Sequence, residues 1–290
     1  MSRKGIILAG GNGSRLFPLT KSVSKQLLPI YDKPMIFYPL SILMLANIRD
    51  ILIISKKSDQ ILYKNILGDG DNFGLKINYA IQEKPNGIPE AFIIGEKFIK
   101  KNKVTLILGD NFFYGQGIED SLLSASKNKR NTIFGYKVNN PKAFGVVKLN
   151  KNGKPTKLEE KPKKFISHYA IPGIYFYDKK VVDYAKLLNK SKRGELEITD
   201  LNKIYLKKNK LDVKLFGRGV AWLDAGTPEK LLEASEFVKI IESRQGFKIA
   251  CLEEIALRNK WITNNKLSKS LLNIPECEYK EYLKSLIKKF

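Results

Sequence analysis

The chain has 290 residues, 43% of them hydrophobic, which is enough for one or two domains with a sizeable core and excludes a disordered protein. Its 52 lysines and arginines against 29 acidic residues give a net charge of +23, but only eight are arginines and the lysines are spread evenly, so no nucleic-acid partner is expected. No apolar run approaches a membrane span or signal peptide, and Cys251 and Cys277 lack metal-binding spacing, so we expect a soluble cytoplasmic protein without membrane insertion or a disulfide framework.

The first half of the chain alternates short apolar runs with helical patterns. The runs predict strands at 6–8, 51–54, 77–81 and 104–108, and their nearly continuous apolar character is typical of parallel strands buried on both faces. Helices are predicted between them at 34–46, 59–67 and 88–98, with Pro34 suited to a helix start. This alternation predicts an α/β fold with a doubly wound, mostly parallel, Rossmann-like sheet.

The pattern changes after a predicted helix at 118–127. Short strands separated by Asn, Gly and Pro turns are predicted at 132–138, 145–149, 157–160 and 173–177, which indicates an antiparallel section added to the sheet. Helices at 180–188 and 199–207 and a strand at 211–216 follow, and then helices at 228–243, 253–259 and 279–288. Because no linker or repeat interrupts the chain, one domain is predicted over 1–290, with an α/β core at 1–227 and a helical part at 228–290.

Three glycines, Gly10, Gly11 and Gly13, directly follow the first predicted strand. Bare backbone N–H groups at the carboxyl end of such a strand approach phosphate oxygens closely. The loop lacks the third glycine of a dinucleotide fingerprint, since that position is Leu16, and it lacks the Gly-Lys-Ser/Thr of a P-loop. Arg15 follows two residues after Gly13, which favours a phosphate cradle over a simple tight turn.

Two carboxylates end apolar runs elsewhere in the chain. Asp110 follows the strand at 104–108, and Asp224 follows Ala-Trp-Leu at 221–223. Either one alone is typical of a turn, but carboxylates at separate strand ends are the oxygen ligands that Mg²⁺ prefers. Together with the glycine loop, they indicate a Mg²⁺ site at Asp110 and Asp224.

The segments Gly-Gly-Asn-Gly-Ser-Arg-Leu at 10–16 and Ser-Lys-Gln-Leu-Leu-Pro at 24–29 resemble the signature of the nucleotidylyltransferases that make nucleotide sugars. The fuller resemblance is to the glucose-1-phosphate thymidylyltransferase family, and it covers nearly the whole chain. The segments that carry it are at 31–36, 67–70, 108–111, 158–162, 193–200, 221–224, 244–246 and 250–256.

The resemblance implies Mg²⁺-dependent transfer of dTMP from dTTP to α-D-glucose 1-phosphate, giving dTDP-glucose and diphosphate. It further implies a place at the start of dTDP-rhamnose synthesis for a surface polysaccharide such as lipopolysaccharide O-antigen. The catalytic residues that it implies are Arg15, Lys25, Asp110, Lys161 and Asp224. A UTP-using uridylyltransferase, another sugar-1-phosphate nucleotidylyltransferase and, from a different class, a nucleic-acid-binding protein remain as alternatives.

The resemblance also implies two groups of binding residues. The nucleotide would contact Leu8, Gly10, Gly11, Asn12, Gly13, Ser14, Arg15, Lys25, Gln26, Gln82, Pro85, Gly87 and Asp110. Gln82 offers one donor and one acceptor to a thymine or uracil edge, and Gly87 gives backbone access to the base. The sugar phosphate would contact Asn111, Phe144, Gly145, Glu160, Lys161, Ile171 and Tyr175.

Three residues depart from the family pattern, and the C-terminal part has a separate expectation. Phe144 stands where the family has Tyr, and Ala225 stands where it has Thr. The family usually lacks the proline found here at Pro172. The resemblance implies a homotetramer, and the apolar Ile255 and Leu257 beside Arg258 favour an interface helix in the C-terminal part. The resemblance also implies a second nucleotide site, at which dTDP-rhamnose would inhibit, formed by Leu45, Tyr114, Gly115, Glu119, Arg218, Cys251 and Arg258.

Overall fold

The computed structural model of the chain describes residues 3–289, and within this range no helix is both long enough and apolar enough to cross a membrane. The strands are β1 (Arg3–Ala9), β2 (Pro29–Ile30), β3 (Lys33–Pro34), β4 (Asp50–Ser55), β5 (Lys76–Ile81), β6 (Lys103–Leu108), β7 (Asn111–Gly115), β8 (Asn131–Lys137), β9 (Gly145–Leu149), β10 (Pro155–Glu160), β11 (Tyr169–Ala170), β12 (Ile174–Tyr177), β13 (Leu211–Leu215) and β14 (Val220–Asp224). The α-helices are α1 (Phe37–Leu45), α2 (Gln60–Leu67), α3 (Glu90–Ile94), α4 (Glu96–Ile99), α5 (Ile118–Lys127), α6 (Val181–Lys186), α7 (Ile198–Lys207), α8 (Pro228–Gln245), α9 (Leu252–Arg258), α10 (Asn264–Leu271) and α11 (Glu278–Lys289).

The central sheet begins as a parallel block in the order β6-β1-β4-β5. It continues beyond β6 through β12, β8, β11, β9 and β10, all paired antiparallel, and β13 pairs parallel with β8. The predicted α/β sheet with an added antiparallel section is therefore confirmed, and every strand predicted from the apolar runs is present.

Two hydrophobic cores cover opposite faces of this sheet. Ile6 and Ile7 are neighbours in β1, both are fully buried, and they belong to different cores. One core includes residues of α1, α2, α5, α9, α10 and α11, and the other includes residues of α3, α4, α6 and α7. Burial on both faces explains why the parallel strands read as continuous apolar runs.

A separate two-stranded ribbon pairs β14, whose end the sequence predicts at Asp224, with β7, which the sequence does not predict. The strands are antiparallel, with Asn111 opposite Asp224 and Gly115 opposite Val220. The ribbon packs against α8 in a third, smaller core that includes Phe112 of β7 and Val238 of α8. This pairing brings the chain after β14 back to the end of β6.

The structure corrects several predicted elements. The helix predicted at 34–46 begins only at Phe37, because Pro34 lies in a short hairpin and the N–H groups of Met35 and Ile36 donate to Leu28 and Gln26. The helix predicted at 88–98 is interrupted at Gly95 between α3 and α4, and α10 was missed. The prediction of an apolar interface face on α9 was wrong: Ile255 and Leu257 are 8% and 6% exposed because they pack inside this chain.

Candidate active site

A cleft of about 290 Å³ opens beyond the carboxyl end of β6 and beside the loop that follows β1. This is the edge of a doubly wound sheet at which ligands bind. Of the residues predicted from the sequence, those lining the cleft are Arg15, Asp110, Asn111, Phe144, Gly145, Glu160, Lys161, Ile171, Tyr175 and Asp224. The structure therefore brings together both predicted metal ligands and all the residues predicted to contact the sugar phosphate.

The three glycines of the loop after β1 differ in their backbone conformation and in their surroundings. Gly13 has φ 62°, in the left-handed region that favours glycine. A Cβ atom on Gly10 would overlap the side-chain oxygen of Gln82, so the missing side chain allows these two residues to meet. Gly11 has no described atom within 4 Å of the position that its Cβ would take, so there is open space on that side of the loop. The other predicted nucleotide contacts in this region are at the end of β1 and in the turn after it: Leu8, Asn12 and Ser14.

Lys25 and Asp110 form a close ion pair in the cleft. Lys25 is 7% exposed, and its Nζ lies 2.5 Å from Asp110 Oδ2. Desolvation opposes the ionisation of Asp110, but the charge of Lys25 and hydrogen bonds from Lys25 and Asn111 hold the pKa of that carboxyl below its usual range. Asp110 is therefore an anion at neutral pH. Gln26, next to Lys25, is also buried and accepts a hydrogen bond from the Tyr63 hydroxyl at 3.3 Å.

Asp224 reaches the same cleft because β14 pairs with β7. It lies opposite Asn111, and the N–H of Ala225 donates to the backbone carbonyl of Asp110 at 3.3 Å. Lys230, in the first turn of α8, donates to both carboxylate oxygens of Asp224, at 2.7 and 2.9 Å. Within residues 3–289 no group of three or more acidic, histidine or cysteine side chains is arranged to hold a metal. Asp110 and Asp224, the two predicted metal ligands, both line the cleft.

Arg15 extends from the glycine loop toward Asp224. A Cβ atom on Gly226 would stand 3.1 Å from Arg15 Nη2 and 3.3 Å from Asp224 Oδ1. Gly226 therefore lets the loop after β1 and the loop after β14 approach each other closely. The Arg15 side chain is exposed, so its fixed fork of N–H donors is open to an anionic ligand.

The antiparallel section supplies the opposite wall of the cleft. Glu160 Oε2 accepts a hydrogen bond from Thr199 Oγ1 at 2.5 Å. A side chain on Gly145 would crowd both of them, because its Cβ would lie 3.0 Å from the Thr199 hydroxyl and 3.1 Å from Glu160 Oε2. Ile171 donates its N–H to the Gly145 carbonyl at 2.8 Å, and Lys161 has φ 43° and an exposed side chain. These contacts hold the Glu160 carboxylate at the cleft, next in the chain to the exposed Lys161 side chain.

Asn111 joins the two walls of the cleft. Its Oδ1 accepts from Trp222 Nε1 at 2.8 Å and from the Gly173 N–H at 3.0 Å, and its Nδ2 donates to Asp110 Oδ1 at 3.0 Å. Every polar atom of its carboxamide is thus engaged, so the orientation of the carboxamide is set.

Burial raises the pKa of Tyr175 well above its ordinary value, and the charges of Glu160 and Asp110 raise it further, so this phenol remains neutral.

Several residues that line the cleft were not assigned to it from the sequence, among them Thr199, Trp222 and Lys230. Thr199 lies in the Glu-Leu-Glu-Ile-Thr-Asp segment that resembles the family, so the signal was present but not used. Trp222 lines the cleft and contacts the Phe144 ring at a centroid distance of 5.1 Å, although an aromatic residue in a short apolar run carries no signal of a site. Lys230 had no local signal, since it is one lysine among 44.

The residues predicted to read the base are outside the lining of this cleft, and one of them, Gln82, lies next to Gly10 of the glycine loop. Gln82 follows β5 and is 3% exposed. Gly87 has φ 108° and forms a bridge to Leu196, against which any Cβ would clash. Pro85 lies in the exposed turn between them. Ile88, directly after Gly87, lines the cleft, so this turn connects the predicted base site to the predicted phosphate site.

A second cavity of about 490 Å³ lies between α1, β7 and α9. Six of the seven residues predicted for a regulatory site line it: Leu45, Tyr114, Gly115, Glu119, Cys251 and Arg258. Arg218 does not line it, but lies in the exposed turn just before β14, whose first residue pairs with Gly115. Arg258 forms an ion pair with Glu119 at 3.3 Å, and Tyr114 donates to Gln245 at 3.0 Å.

The comparison with known proteins agrees with this geometry. Residues 4–240 match the nucleotidyl transferase family. The chain is 52% identical to a glucose-1-phosphate thymidylyltransferase of Neisseria meningitidis serogroup A, over 99% of this chain and 100% of that protein. It is 50% identical to a glucose-1-phosphate thymidylyltransferase of Mycolicibacterium smegmatis, over 98% of this chain and 99% of that protein.

Two solved structures share the fold of this chain. A Bacillus anthracis protein assigned as a glucose-1-phosphate thymidylyltransferase, in complex with sucrose, aligns with a TM-score of 0.74 and 40% identity over 81% of this chain and 95% of that one. A UDP-glucose pyrophosphorylase complexed with UDP-glucose shares the fold, with a TM-score of 0.74 at 21% identity over 83% of this chain and 100% of that one. The chain therefore belongs to the nucleotidyl transferase family, within its glucose-1-phosphate thymidylyltransferase branch.

Proposed function

We propose that this enzyme transfers dTMP from dTTP to α-D-glucose 1-phosphate and releases diphosphate, producing dTDP-glucose. The observation that carries the proposal is the gathering of Asp110, Asp224, Arg15 and Lys161 around one cleft, in a chain that is 52% identical to a glucose-1-phosphate thymidylyltransferase over nearly its full length. This reaction joins two anions, so charge neutralisation and positioning are its main requirements.

The cationic residues divide between the two substrates. The exposed guanidinium of Arg15 faces the triphosphate and neutralises the leaving diphosphate, with the glycine loop supplying N–H donors. Lys25 adds a buried positive charge beside Asp110. Lys161 binds the phosphate of glucose 1-phosphate and directs its oxygen toward the α-phosphorus. The attacking oxygen is already anionic, so no general base is required.

We propose Mg²⁺ as the metal, held by Asp110 and Asp224. The donor set fits this ion, because both side chains are carboxylates, they come from adjacent strand ends, and they leave the remaining positions to water and phosphate oxygens. The ion would supply positive charge to the α-phosphate in the transition state. Lys25 pairs with Asp110, and Lys230 pairs with Asp224.

The glucosyl group would lie against the antiparallel section. Glu160, fixed by Thr199, accepts hydrogen bonds from sugar hydroxyls. The Gly145 and Ile171 backbone and the neutral Tyr175 hydroxyl complete this pocket. On the nucleotide side, Gln82 and the Gly87 backbone would contact the base, while Gln26, Pro85 and the glycine loop enclose the nucleoside. In this division the sugar lies in the cleft, and the nucleoside lies beside it against the glycine loop.

We also propose a pathway, a cellular location and an oligomeric state for the enzyme. The enzyme would act in the cytoplasm at the first step of dTDP-rhamnose and surface polysaccharide synthesis, as a homotetramer. Residues 1–227 would form the catalytic core, and 228–290 a helical part of the same domain that serves assembly and regulation.

We propose that the 490 Å³ cavity binds dTDP-rhamnose as a feedback inhibitor. Tyr114 offers a ring to a base, and Arg258 with nearby Arg218 offers guanidinium groups to a diphosphate. The test assays the double variant Arg218→Ala with Arg258→Ala, with and without dTDP-rhamnose. Loss of inhibition with normal turnover supports the site. Unchanged inhibition that is purely competitive with dTTP removes it, since the inhibitor would then act at the active site.

The main experiment incubates the purified chain with MgCl₂, glucose 1-phosphate and one nucleotide at a time, and follows diphosphate release. We expect the highest kcat/KM with dTTP. A preference for UTP would make the enzyme a uridylyltransferase, and activity only with ATP, GTP or CTP would exclude thymidylyl transfer. No diphosphate release with any nucleotide would contradict the proposed function.

A further inference from the structure

Glu90, the first residue of α3, holds the carboxamide of Gln82. Gln82 Nε2 donates to Glu90 Oε2 at 2.6 Å, and the Gln82 side chain is otherwise buried, at 3% exposure. A carboxylate only accepts hydrogen bonds, so the NH₂ group of Gln82 must face Glu90. The carboxamide oxygen must then point away from Glu90, and it lies against the backbone of Gly10 in the glycine loop.

Glu90 is itself held on its second oxygen. Asn86 Nδ2 donates to Glu90 Oε1 at 2.7 Å, and the Asn86 N–H donates to Oε2 at 3.3 Å. Asn86 is held in turn by the segment just before α7, because its backbone carbonyl accepts a hydrogen bond from the Leu196 N–H at 2.7 Å. Glu90 therefore cannot swing away from Gln82 without breaking the turn at 83–87.

The orientation of Gln82 decides which pyrimidine edge it complements. Thymine and uracil present an N3–H donor beside a carbonyl acceptor, whereas cytosine presents an N3 acceptor beside an amino donor. A glutamine side chain can match either edge, because a flip of the carboxamide exchanges its donor and acceptor. A glutamine that cannot flip matches only one of them.

We propose that Glu90 is a positioning residue that sets pyrimidine selectivity by fixing the carboxamide of Gln82 in the orientation that accepts from N3–H. The proposal rests on the proposed function, in which Gln82 contacts the base. A flipped Gln82 would set its oxygen against Glu90 Oε2, replacing a charge-assisted hydrogen bond with the contact of two acceptors. The enzyme would thereby disfavour cytosine nucleotides without any contact between Glu90 and the base.

The test compares dTTP with dCTP in the wild-type enzyme and in Glu90→Gln, using full-length protein, MgCl₂ and glucose 1-phosphate. The glutamine can donate or accept, so it tolerates both orientations of Gln82. We expect the ratio of kcat/KM for dTTP over dCTP to fall by about tenfold or more, the worth of one charge-assisted hydrogen bond. Glu90→Ala gives a second version of the comparison if Glu90→Gln does not fold.

Asn86→Ala is the matched control. It removes the hydrogen bond to Glu90 Oε1 and loosens the turn, but leaves the contact between Gln82 and Glu90. We expect it to raise KM for both nucleotides and to leave their ratio unchanged. An equal fall of the ratio in Asn86→Ala would mean that turn order, and not carboxamide orientation, sets selectivity, which overturns the proposal.

Equilibrium binding of dTTP and dCTP, without glucose 1-phosphate, separates this proposal from the proposed function. Wild-type turnover with an unchanged ratio in Glu90→Gln contradicts the role of Glu90 and leaves the proposed function intact. Absence of turnover in the wild type, with dTTP bound more tightly than dCTP and this preference lost in Glu90→Gln, contradicts the proposed reaction and supports Glu90. Binding of neither nucleotide would overturn both.

Discussion

Lys230 Nζ lies 2.7 and 2.9 Å from the two carboxylate oxygens of Asp224. The other proposed metal ligand, Asp110, is also paired with a lysine, since Lys25 Nζ lies 2.5 Å from Asp110 Oδ2. Each carboxylate is thus neutralised by its own lysine before any cation arrives. The two lysines differ in exposure, because the Lys25 side chain is 7% exposed and the Lys230 side chain is 41% exposed. Breaking the pair between Lys230 and Asp224 therefore costs less free energy than breaking the pair between Lys25 and Asp110.

Lys230→Met should lower the Mg²⁺ concentration that gives half-maximal activity by several-fold. The ammonium group and the cation compete for the same oxygens of Asp224, so removing the ammonium favours the cation. A magnesium titration of initial rates at saturating substrates measures the effect. Lys203→Met, which removes the exposed pair with Asp200, is the control and should leave the titration unchanged. A higher magnesium requirement in Lys230→Met would contradict the competition.

Asp110→Asn and Asp224→Asn should each reduce kcat by about two orders of magnitude or more, because an amide is a far weaker ligand for a hard cation. Steady-state rates at saturating dTTP and glucose 1-phosphate measure this. Asp212→Asn, at an exposed carboxylate that pairs with Arg130 at 2.6 Å, should retain wild-type turnover. Wild-type turnover in either cleft variant would remove that carboxylate from the mechanism.

Phe144→Tyr should lower KM for glucose 1-phosphate by a factor of a few, about the worth of one hydrogen bond. The Phe144 ring lines the cleft between Trp222 and Lys230, so a phenol at this position adds a donor close to the sugar phosphate. KM measured at saturating dTTP tests this. Phe165→Tyr adds the same hydroxyl to a ring that is 63% exposed and is the control. An unchanged KM would mean that the new hydroxyl does not reach the substrate.

The fold was predictable wherever local sequence determines burial. Ile6 and Ile7 lie in opposite cores, so β1 reads as a continuous apolar run, and the same holds for the other parallel strands. The pairing of β7 with β14 could not be predicted from local patterns, because the two strands are far apart in the chain. The packing of Ile255 and Leu257 was misjudged because a helix pattern gives an apolar face but not the partner that covers it.

The site was predictable where a residue belongs to a recognisable segment, as for Arg15, Lys25 and Asp110. Lys230 and Glu90 have no such segment, and their importance comes from the single side chain that each one contacts. Such contacts depend on tertiary structure, since α8 and β14 must be packed before Lys230 can reach Asp224. Sequence reasoning therefore identified residues in recognisable segments that line the cleft, and it missed Lys230 and Glu90, whose contacts form only in the folded chain.

Asp32→Asn should remove stability that depends on pH. Desolvation opposes ionisation of Asp32, but hydrogen bonds from Lys248 and Lys33 and their charges hold its pKa below the ordinary value. The folded state then binds fewer protons than the unfolded state, so this contribution is present above the unfolded pKa of about 3.9 and is lost as pH falls through the folded pKa. Urea unfolding of wild type and variant from pH 7 to pH 3 measures it.

The difference in the free energy of unfolding between wild type and Asp32→Asn should be full near neutral pH and should shrink below about pH 5. Asp71→Asn is the control, because Asp71 is 73% exposed in its pair with Lys266 and should contribute little at any pH. A difference for Asp32→Asn that grows as the pH falls would contradict the assigned direction of the pKa shift.

The most direct test of thymidylyl transfer follows the individual phosphates of dTTP. The purified enzyme is incubated with Mg²⁺ and glucose 1-phosphate, and with dTTP labelled at either the α- or the γ-phosphate, and the products are separated. Attack on the α-phosphorus predicts that the α-label appears in dTDP-glucose and the γ-label in diphosphate. A γ-label on the sugar phosphate, or an α-label only in free dTMP, would contradict the account, because the enzyme would then be a kinase or a hydrolase.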